Sequence, residues 1–469
     1  MKITELAIDH PRPVLVATIL VLLMAVLASA SLAPAAEGPM NVIFLLADDQ
    51  RWDTLGSYGN PVIQTPELDQ LAREGVRFEH MFVTTSICVT SRASFITGQY
   101  ARRHGIWDFQ TQLSPTQFAE SYLGRMKDAG YHLGFIGKWG VGDPPESYFD
   151  YDRTFPGQGE FVLQVDGETR HLTSVMGDQA IEFVRTAPAD RPFCLSVSFK
   201  AAHVQDSYDI TDVPFPYDPA LSDLYQDVEI EPPVSALPQF FDRLPRSLQD
   251  SEARLRWAIR FWGPTRYQES VKGYYRLVTG IDRVVGRLRA ALEERGLADT
   301  TAIVYSGDNG FFLGEYGLAG KWTPHEASIR VPLLVYDPRL PEGARGRTRA
   351  EMALNIDVAP TLLAFAGLGP SASMQGKSLL PLVSGESPEW RSDFFYEHLF
   401  EHPRLPKMEG VRTEEWKYIR YVDEDPALEE LYDLQRDPQE LENLAGRAEW
   451  ESVLAGLRQS WAAWRESAR

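Results

Sequence analysis

Two short apolar runs in this 469-residue chain end in oxygen-bearing side chains. "NVIFLLA" runs into Asp48 and Asp49, and "TAIVYS" runs through Gly307 into Asp308 and Asn309. Either pair alone would serve to cap a following turn or helix. Together they place four oxygen ligands beyond the carboxyl ends of two strands, where open α/β sheets bind their ligands, and this set suits a hard cation such as calcium. Basic residues recur in the same kind of position. Lys138 closes "GFIGK", Lys200 and His203 follow "LSVSF", and Lys321 lies just beyond Asp308. A single lysine there is ordinarily a solvated surface group. Several lysines with a histidine, in a chain of formal charge -20, read as a pocket for an oxyanion. With 46 Lys+Arg against 66 Asp+Glu, the chain is not one that wraps nucleic acid.

Cys88 is one of only two cysteines and stands in "TTSICVTSRASFITGQY", a Ser/Thr-rich segment that reads as a turn into a helix. Cys194, inside the apolar "PFCLSVSF", reads as a buried free thiol. A Cys88–Cys194 disulfide is the plain alternative use of two cysteines in an exported chain. Export is the reading of the N-terminus, where "VLVATILVLLMAVLASASLA" precedes A-x-A-like sites near Ala30 and Ala36. Residues 1–36 are thus expected to be a signal peptide or an uncleaved membrane anchor, and the mature protein periplasmic or extracellular.

The elements that must position these residues alternate strand and helix. "NVIFLLA", "YHLGFIGK", "FCLSVSF", "TAIVYS" and "VPLLVYD" read as strands, and "PELDQLAREG", "PTQFAESYLGRMKDAG" and "SVMGDQAIEFVRTA" as helices. In "YYRLVTGIDRVVGRLRAALEERG" the apolar residues Val278, Ile281, Val285, Leu288 and Leu292 form a helical stripe. Such alternation predicts an α/β fold, a mostly parallel sheet sandwiched by helices, over residues 40–384. Residues 204–262, rich in acids, prolines and aromatics, break the rhythm and read as a functional rim or lid. Residues 385–469 read as a small α+β subdomain with an antiparallel sheet and a final amphipathic helix.

"CVTSR" followed by "ASFITGQY" resembles the signature of the type I sulfatases of the alkaline-phosphatase-like superfamily, Cys-x-Pro-Ser-Arg followed by a Thr-Gly segment. The resemblance extends through "NVIFLLADDQ", "GFIGKW", "SGDNGFFLGEYG", "IRVPLLVYDP", "DVAPTLL" and "LYDLQRDPQELENLA". It implies that a maturation enzyme oxidises Cys88 to formylglycine, whose hydrated form attacks the sulfur of a sulfate ester. Carried over by position, it implies calcium held by Asp48, Asp49, Asp308 and Asn309 with modified Cys88. Arg92 would steady the formylglycine and Lys138 would bind sulfate. His203 and Lys321 would face the bridging oxygen, and His104 would stand behind the site. Modified Cys88 would be unavailable for a disulfide. Carbohydrate sulfates are the expected substrates, with His398 and His402 bordering a sugar.

The chain departs from the family pattern twice. Thr90 stands where the signature has proline, which bears on maturation, and Gly140 stands where "GKWHLG" has the histidine that serves as base for sulfate release. His325 is the first replacement expected, one helical turn beyond Lys321 if that segment is helical, and His203 the second. Gly140→His would restore the base if the pocket has room. Two other functions remain open: a phosphomonoester or phosphodiester hydrolase on the same scaffold, and a catalytically impaired glycan-binding homologue.

Overall fold

The apolar run at Asn41 forms β1 (Asn41–Ala47), an inner strand of an eight-stranded sheet. In the computed structural model, residues 38–145 and 147–469 are described, so the expected N-terminal signal or anchor lies outside them. Among the described residues, no helix is long and apolar enough to cross a membrane. The remaining strands are β2 (Val76–Phe78), β3 (His132–Lys138), β4 (Tyr151–Phe155), β5 (Phe193–Ser198), β6 (Thr301–Gly307), β7 (Leu333–Tyr336) and β8 (Arg347–Arg349). They lie in the order β8-β2-β7-β6-β1-β5-β3-β4. All neighbours are parallel except β7, which runs against both β2 and β6. The mostly parallel sheet is therefore formed, with "VPLLVYD" reversed within it.

β1 is wholly buried because both faces of the sheet are covered. Val42, Phe44 and Leu46 pack with α2 (Cys88–Thr97), α3 (Tyr122–Asp128) and α7 (Val358–Phe365). Ile43, Leu45 and Ala47 pack on the opposite face with α1 (Pro66–Glu74), α4 (Leu172–Thr186) and α6 (Pro264–Glu294). The stripe of Val278, Ile281, Val285, Leu288 and Leu292 on α6 is buried as expected. The single helix expected from "PTQFAESYLGRMKDAG" is two helices, Pro115–Glu120 and α3. Ser121 divides them: its side chain accepts the Gly124 N–H and caps α3, so the first helix cannot run on.

The register aligns the four inner parallel strands at their carboxyl ends, with Ala47 beside Gly307, and Leu46 and Gly137 both beside Ser198. Asp48–Asp49, Asp308–Asn309, Lys138 and Lys200–His203 consequently emerge at one rim. A short helix, α5 (Glu252–Arg260), lies within the irregular 204–262 region above it. The C-terminal sheet runs β9 (Asp393–His398), β10 (Met408–Thr413), β11 (Trp416–Tyr421) and β12 (Glu429–Asp433), antiparallel throughout. α8 (Glu451–Ser467) covers it through Leu454 and Leu457.

Candidate active site

Cys88 is the first residue of α2, and its sulfur lies between charges of both signs. Lys321 Nζ donates to Sγ at 3.0 Å, and Sγ stands 3.5 Å from Asp48 Oδ1. Cys88 and Cys194 are both buried free thiols, so the disulfide alternative is not formed. One turn along α2, Arg92 reaches under the rim. Its Nε donates to Asp308 Oδ2 at 2.8 Å, Nη1 donates to the Lys138 carbonyl at 2.9 Å and to Ser198 Oγ, and Nη2 is 3.3 Å from Asp48 Oδ2. Lys138 Nζ donates to Asp48 Oδ2 at 2.6 Å and to Gln158 Oε1 at 2.7 Å. Lys321 also pairs with Asp49, and His203 Nε2 is 3.5 Å from Asp49 Oδ2.

The donor set fits a hard cation. Asp48, Asp49, Cys88 and His203 offer ligand atoms within 4.8 Å of one another. Asn309 joins them by donating Nδ2 to Asp49 Oδ1 at 2.7 Å, and Asp308 Oδ1 accepts the Asp49 N–H at 3.0 Å. Two oxygens in this group, Asp49 Oδ2 and Asn309 Oδ1, are buried without a hydrogen-bond partner. Buried oxygens left unmet cost free energy, and a cation would satisfy both. Asp49 itself holds φ 58°, a left-handed conformation costly for a side chain, and the Tyr274 hydroxyl fixes it by donating to the Asp49 carbonyl at 2.6 Å.

The carboxylates are driven apart in proton affinity. Burial works to raise Asp48, but Lys138, His203, Arg92 and Lys321 hold it well below the ordinary range. Asp308, buried and beside Asp48, is pushed up to about 7. Asp48 and Asp308, packed this closely, do not both ionise cheaply in this arrangement. Burial lowers His203 against the pull of Asp49 and Asp48. Its Nδ1 lies 2.7 Å from the Val204 carbonyl, so Nδ1 carries the proton and Nε2 faces the acids.

The other expected residues stand back from this cluster. His104 accepts the Ile106 N–H at Nδ1 and meets Ser94 Oγ at 3.1 Å, which braces α2 from behind. Lys200 turns aside to the Gly159 carbonyl and the Phe161 ring. The segment from Lys321 to His325 is not helical, so the one-turn relation fails. His325 instead precedes the short helix Glu326–Ile329 and packs among Phe312, Tyr316 and Tyr432. His398, expected beside a sugar, is fully buried at the end of β9 next to Phe400. Gly140 holds φ 74°, and a Cβ there would lie 2.7 Å from Arg92 Cδ, so the pocket has no room for the histidine. Sequence reasoning missed Gln158 and Ser198. Ser198 carried a signal, ending a strand opposite Leu46, two residues before Asp48, whereas Gln158 sits in a loop with none.

Fold and pocket together define an α/β protein with cationic side chains gathered over a metal-type cluster at the strand ends. The sulfatase family model matches residues 40–368, and that of the N-sulphoglucosamine sulphohydrolase C-terminal region matches 314–467. The chain belongs to the sulfatase family of the alkaline-phosphatase-like superfamily and is a sulfuric ester hydrolase. It is 29% identical to an N-acetylglucosamine-6-O-sulfatase of Bacteroides thetaiotaomicron, over 87% of this chain and 83% of that one. An arylsulfatase of Clostridium perfringens is 26% identical, over 89% of this chain and 92% of its own. A structure solved in complex with its substrate D-glucosamine-2-N,6-O-disulfate superposes with TM-score 0.73 at 26% identity, covering 92% of this chain and 98% of that one. A phosphonate monoester hydrolase of Agrobacterium radiobacter, with TM-score 0.73, 22% identity and coverage of 92% and 96%, shares the fold.

Proposed function

We propose that the protein hydrolyses sulfate esters of carbohydrates, with Cys88 converted to formylglycine and calcium held by Asp48, Asp49, Asp308 and Asn309 together with residue 88. The observation that carries this reading is the meeting of Cys88 with the unmet oxygens of Asp49 and Asn309 beside Lys138, Lys321 and Arg92. Similarity to an N-acetylglucosamine-6-O-sulfatase supports a sugar sulfate as substrate. The apolar N-terminal run supports export, and conversion of Cys88 requires a maturation enzyme as partner. When bound, calcium supplies positive charge at the sulfate and acidifies the attacking hydroxyl that formylglycine hydrate provides.

The remaining work falls to side chains of this chain. Lys138 and Lys321 bind sulfate oxygens and neutralise the charge that builds there. Arg92, tied to Asp308 and the Lys138 carbonyl, holds residue 88 and Asp48 in register. His203, its Nδ1–H held by the Val204 carbonyl, presents Nε2 to the leaving alcohol; a ring that enters the step protonated at both nitrogens, beside Asp49, gives the alcohol its Nε2 proton and returns to the neutral form that burial favours. The glycine at position 140 leaves His203 as the histidine placed to take up a proton again during sulfate release.

The test is made on protein produced with a maturation enzyme. The Cys88 peptide should carry the aldehyde and react with a hydrazide probe. N-acetylglucosamine 6-sulfate should release sulfate faster than the matching sugar phosphate releases phosphate. A peptide bearing only the thiol in active protein overturns the formylglycine reading, and faster phosphate release favours the phosphoester hydrolase. Quantitative aldehyde without hydrolysis of any sulfate ester would point to a glycan-binding homologue.

A further inference from the structure

We propose that Arg260, supported by Arg256, forms a second anion subsite next to the sulfate pocket, so that the preferred substrates are sugars bearing a second sulfate or carboxylate. The inference deepens the sulfate-ester reading and rests on it for the place of the first anion. Arg260 is the last residue of α5 and is only 3% exposed. Its Nη1 is buried with no hydrogen-bond partner. Nη2 stands 3.6 Å from Asp206 Oδ1, too far for a good hydrogen bond. That same oxygen is shared with Arg256 Nη1 at 3.4 Å. The neighbouring acid, Glu252, is taken by Arg256 at 2.9 Å, Arg404 at 2.6 Å and the Tyr208 hydroxyl at 2.6 Å. Three guanidiniums thus face two carboxylates, and the unmatched charge falls on Arg260, the most buried of the three. A buried guanidinium N–H without an acceptor costs free energy that an anionic ligand would recover.

The location ties this group to the chemistry. Asp206 follows His203 closely in the chain. Burial works to raise its carboxyl, but His203, Arg256, Arg260 and Lys321 hold it below the ordinary value. Asp49 is among the charges felt by Arg260, which burial and the adjacent Arg256 bring down to about 10, still cationic at pH 7. Arg256 lies over the ring of Trp322, 5.1 Å from its centroid, and Trp322 directly follows Lys321. Trp322 is held at φ 85°, and its N–H donates to the Ser86 carbonyl at 3.1 Å, which fixes the ring beside Cys88's own segment. Arg260 and Arg256 therefore stand between Asp206, which follows His203, and Trp322, which follows Lys321, so the group adjoins the pocket at both ends. The flat, two-pronged guanidinium matches a sulfate or carboxylate edge. In a chain of formal charge -20, an unneutralised arginine at this place selects for negative charge.

The experiment measures equilibrium binding to calcium-loaded, full-length Cys88→Ala protein, which cannot turn over. The probes are N-acetylglucosamine 6-sulfate and glucosamine 6-sulfates carrying a second sulfate on N2, O3 or O4. At least one disulfated probe should bind about 10–100-fold more tightly than the monosulfate, the gain of one charge-assisted bidentate contact. Arg260→Gln should collapse that ratio, and Arg260→Lys, which keeps the charge but loses the fork, should leave an intermediate one. Arg256→Gln should also shrink the ratio, because Asp206 would then neutralise Arg260 alone; it keeps the test decisive if Arg260→Gln does not fold. A set of probes that all bind within about threefold of the monosulfate, or a ratio unchanged in a folded Arg260→Gln protein, overturns the subsite. Sulfate release by unsubstituted protein is scored separately. Preferential binding without hydrolysis overturns the sulfatase reading and leaves the subsite standing.

Discussion

Lys321 and Glu326 lie one short segment apart in the chain, yet they belong to two buried charge clusters of opposite character. At the strand ends, Lys321, Lys138 and Arg92 surround Asp48, Asp49 and Asp308, and two ligand oxygens stay unmet. At the junction with the C-terminal sheet, Glu326 is bonded by Lys417 at 2.9 Å and Arg412 at 3.4 Å. Glu440 takes Lys417 at 2.5 Å and the Glu326 N–H at 2.8 Å. The unmet atoms at this junction, His325 Nε2 and Glu430 Oε2, face each other at 3.8 Å. Burial pushes Glu430 up to about 7 and lowers His325 to about 3, so it favours the neutral form of both. The junction matches its ionised carboxylates with its own Lys417 and Arg412, whereas the pocket closes only with a cation and a substrate anion. Buried charge alone does not mark a functional site; buried charge that its own neighbours cannot satisfy does.

The largest effects should separate the two clusters cleanly. Cys88→Ala removes the nucleophile and should lower kcat/KM by at least about 10³-fold, with little change in the unfolding midpoint measured without calcium. Asp49→Asn should weaken calcium binding measured by titration and lower kcat in parallel, and a calcium chelator should reduce the melting temperature of unsubstituted protein because the ion binds only the folded state. Lys417→Met should do the reverse. Leaving Glu440 buried without its cation, and Glu326 with only the longer Arg412 contact, should cost about 3–5 kcal/mol of stability, read from denaturant unfolding, while the folded fraction keeps its kcat/KM within about threefold. A Lys417→Met protein that melts normally but loses activity would dissolve the distinction.

The pocket floor was legible in the sequence because it depends on strand ends. A buried parallel strand announces itself as an apolar run, and the residue after it must emerge at the carboxyl rim. Asp48, Asp49, Lys138, Asp308 and Asn309 follow from that alone, and α2 begins where the Ser/Thr-rich turn at Cys88 was read. Arg260 and Asp206 were not legible. They lie in the irregular 204–262 region, where only the tertiary fold decides which side chains meet. His325 was misplaced because a helical spacing was assumed across Trp322, whose φ of 85° no helix contains. The reversal of β7 was equally silent, since a fully buried strand reads the same in either direction.

Gly140 gives the next effect in size. A Cβ at this position would press on Arg92, which cannot yield because Asp308, the Lys138 carbonyl and Ser198 hold its guanidinium. Gly140→His should therefore lower kcat/KM rather than restore a base, and the left-handed backbone adds a cost of about 1–3 kcal/mol in denaturant unfolding. Faster sulfate release in this variant would show that Arg92 can move aside, which would make the pocket as adaptable as the junction is rigid.

The smallest effect tests the junction side of the comparison. His398 ends β9 opposite Met408, fully buried, and neither ring nitrogen reaches another residue. Burial lowers its pKa to about 3, so the folded protein keeps the ring neutral. In the unfolded chain the same ring protonates near its ordinary value of about 6.5. Between these two values the unfolded state binds the extra proton, so the contribution to stability is complete above about pH 6.5 and is lost progressively as pH falls toward 3. Leucine has no such proton and no unmet nitrogen. His398→Leu should gain about 1 kcal/mol at pH 7 and should show a smaller drop in melting temperature from pH 7 to pH 5 than the unsubstituted protein. Neighbouring Glu397, which burial raises to about 7, acts in the opposite direction, its contribution being present at low pH and lost as pH rises toward 7, but it is common to both proteins and cancels in the comparison. Equal acid sensitivity in the two proteins would mean that His398 titrates freely in the folded state, and that the end of β9 is open to water where the structure seals it.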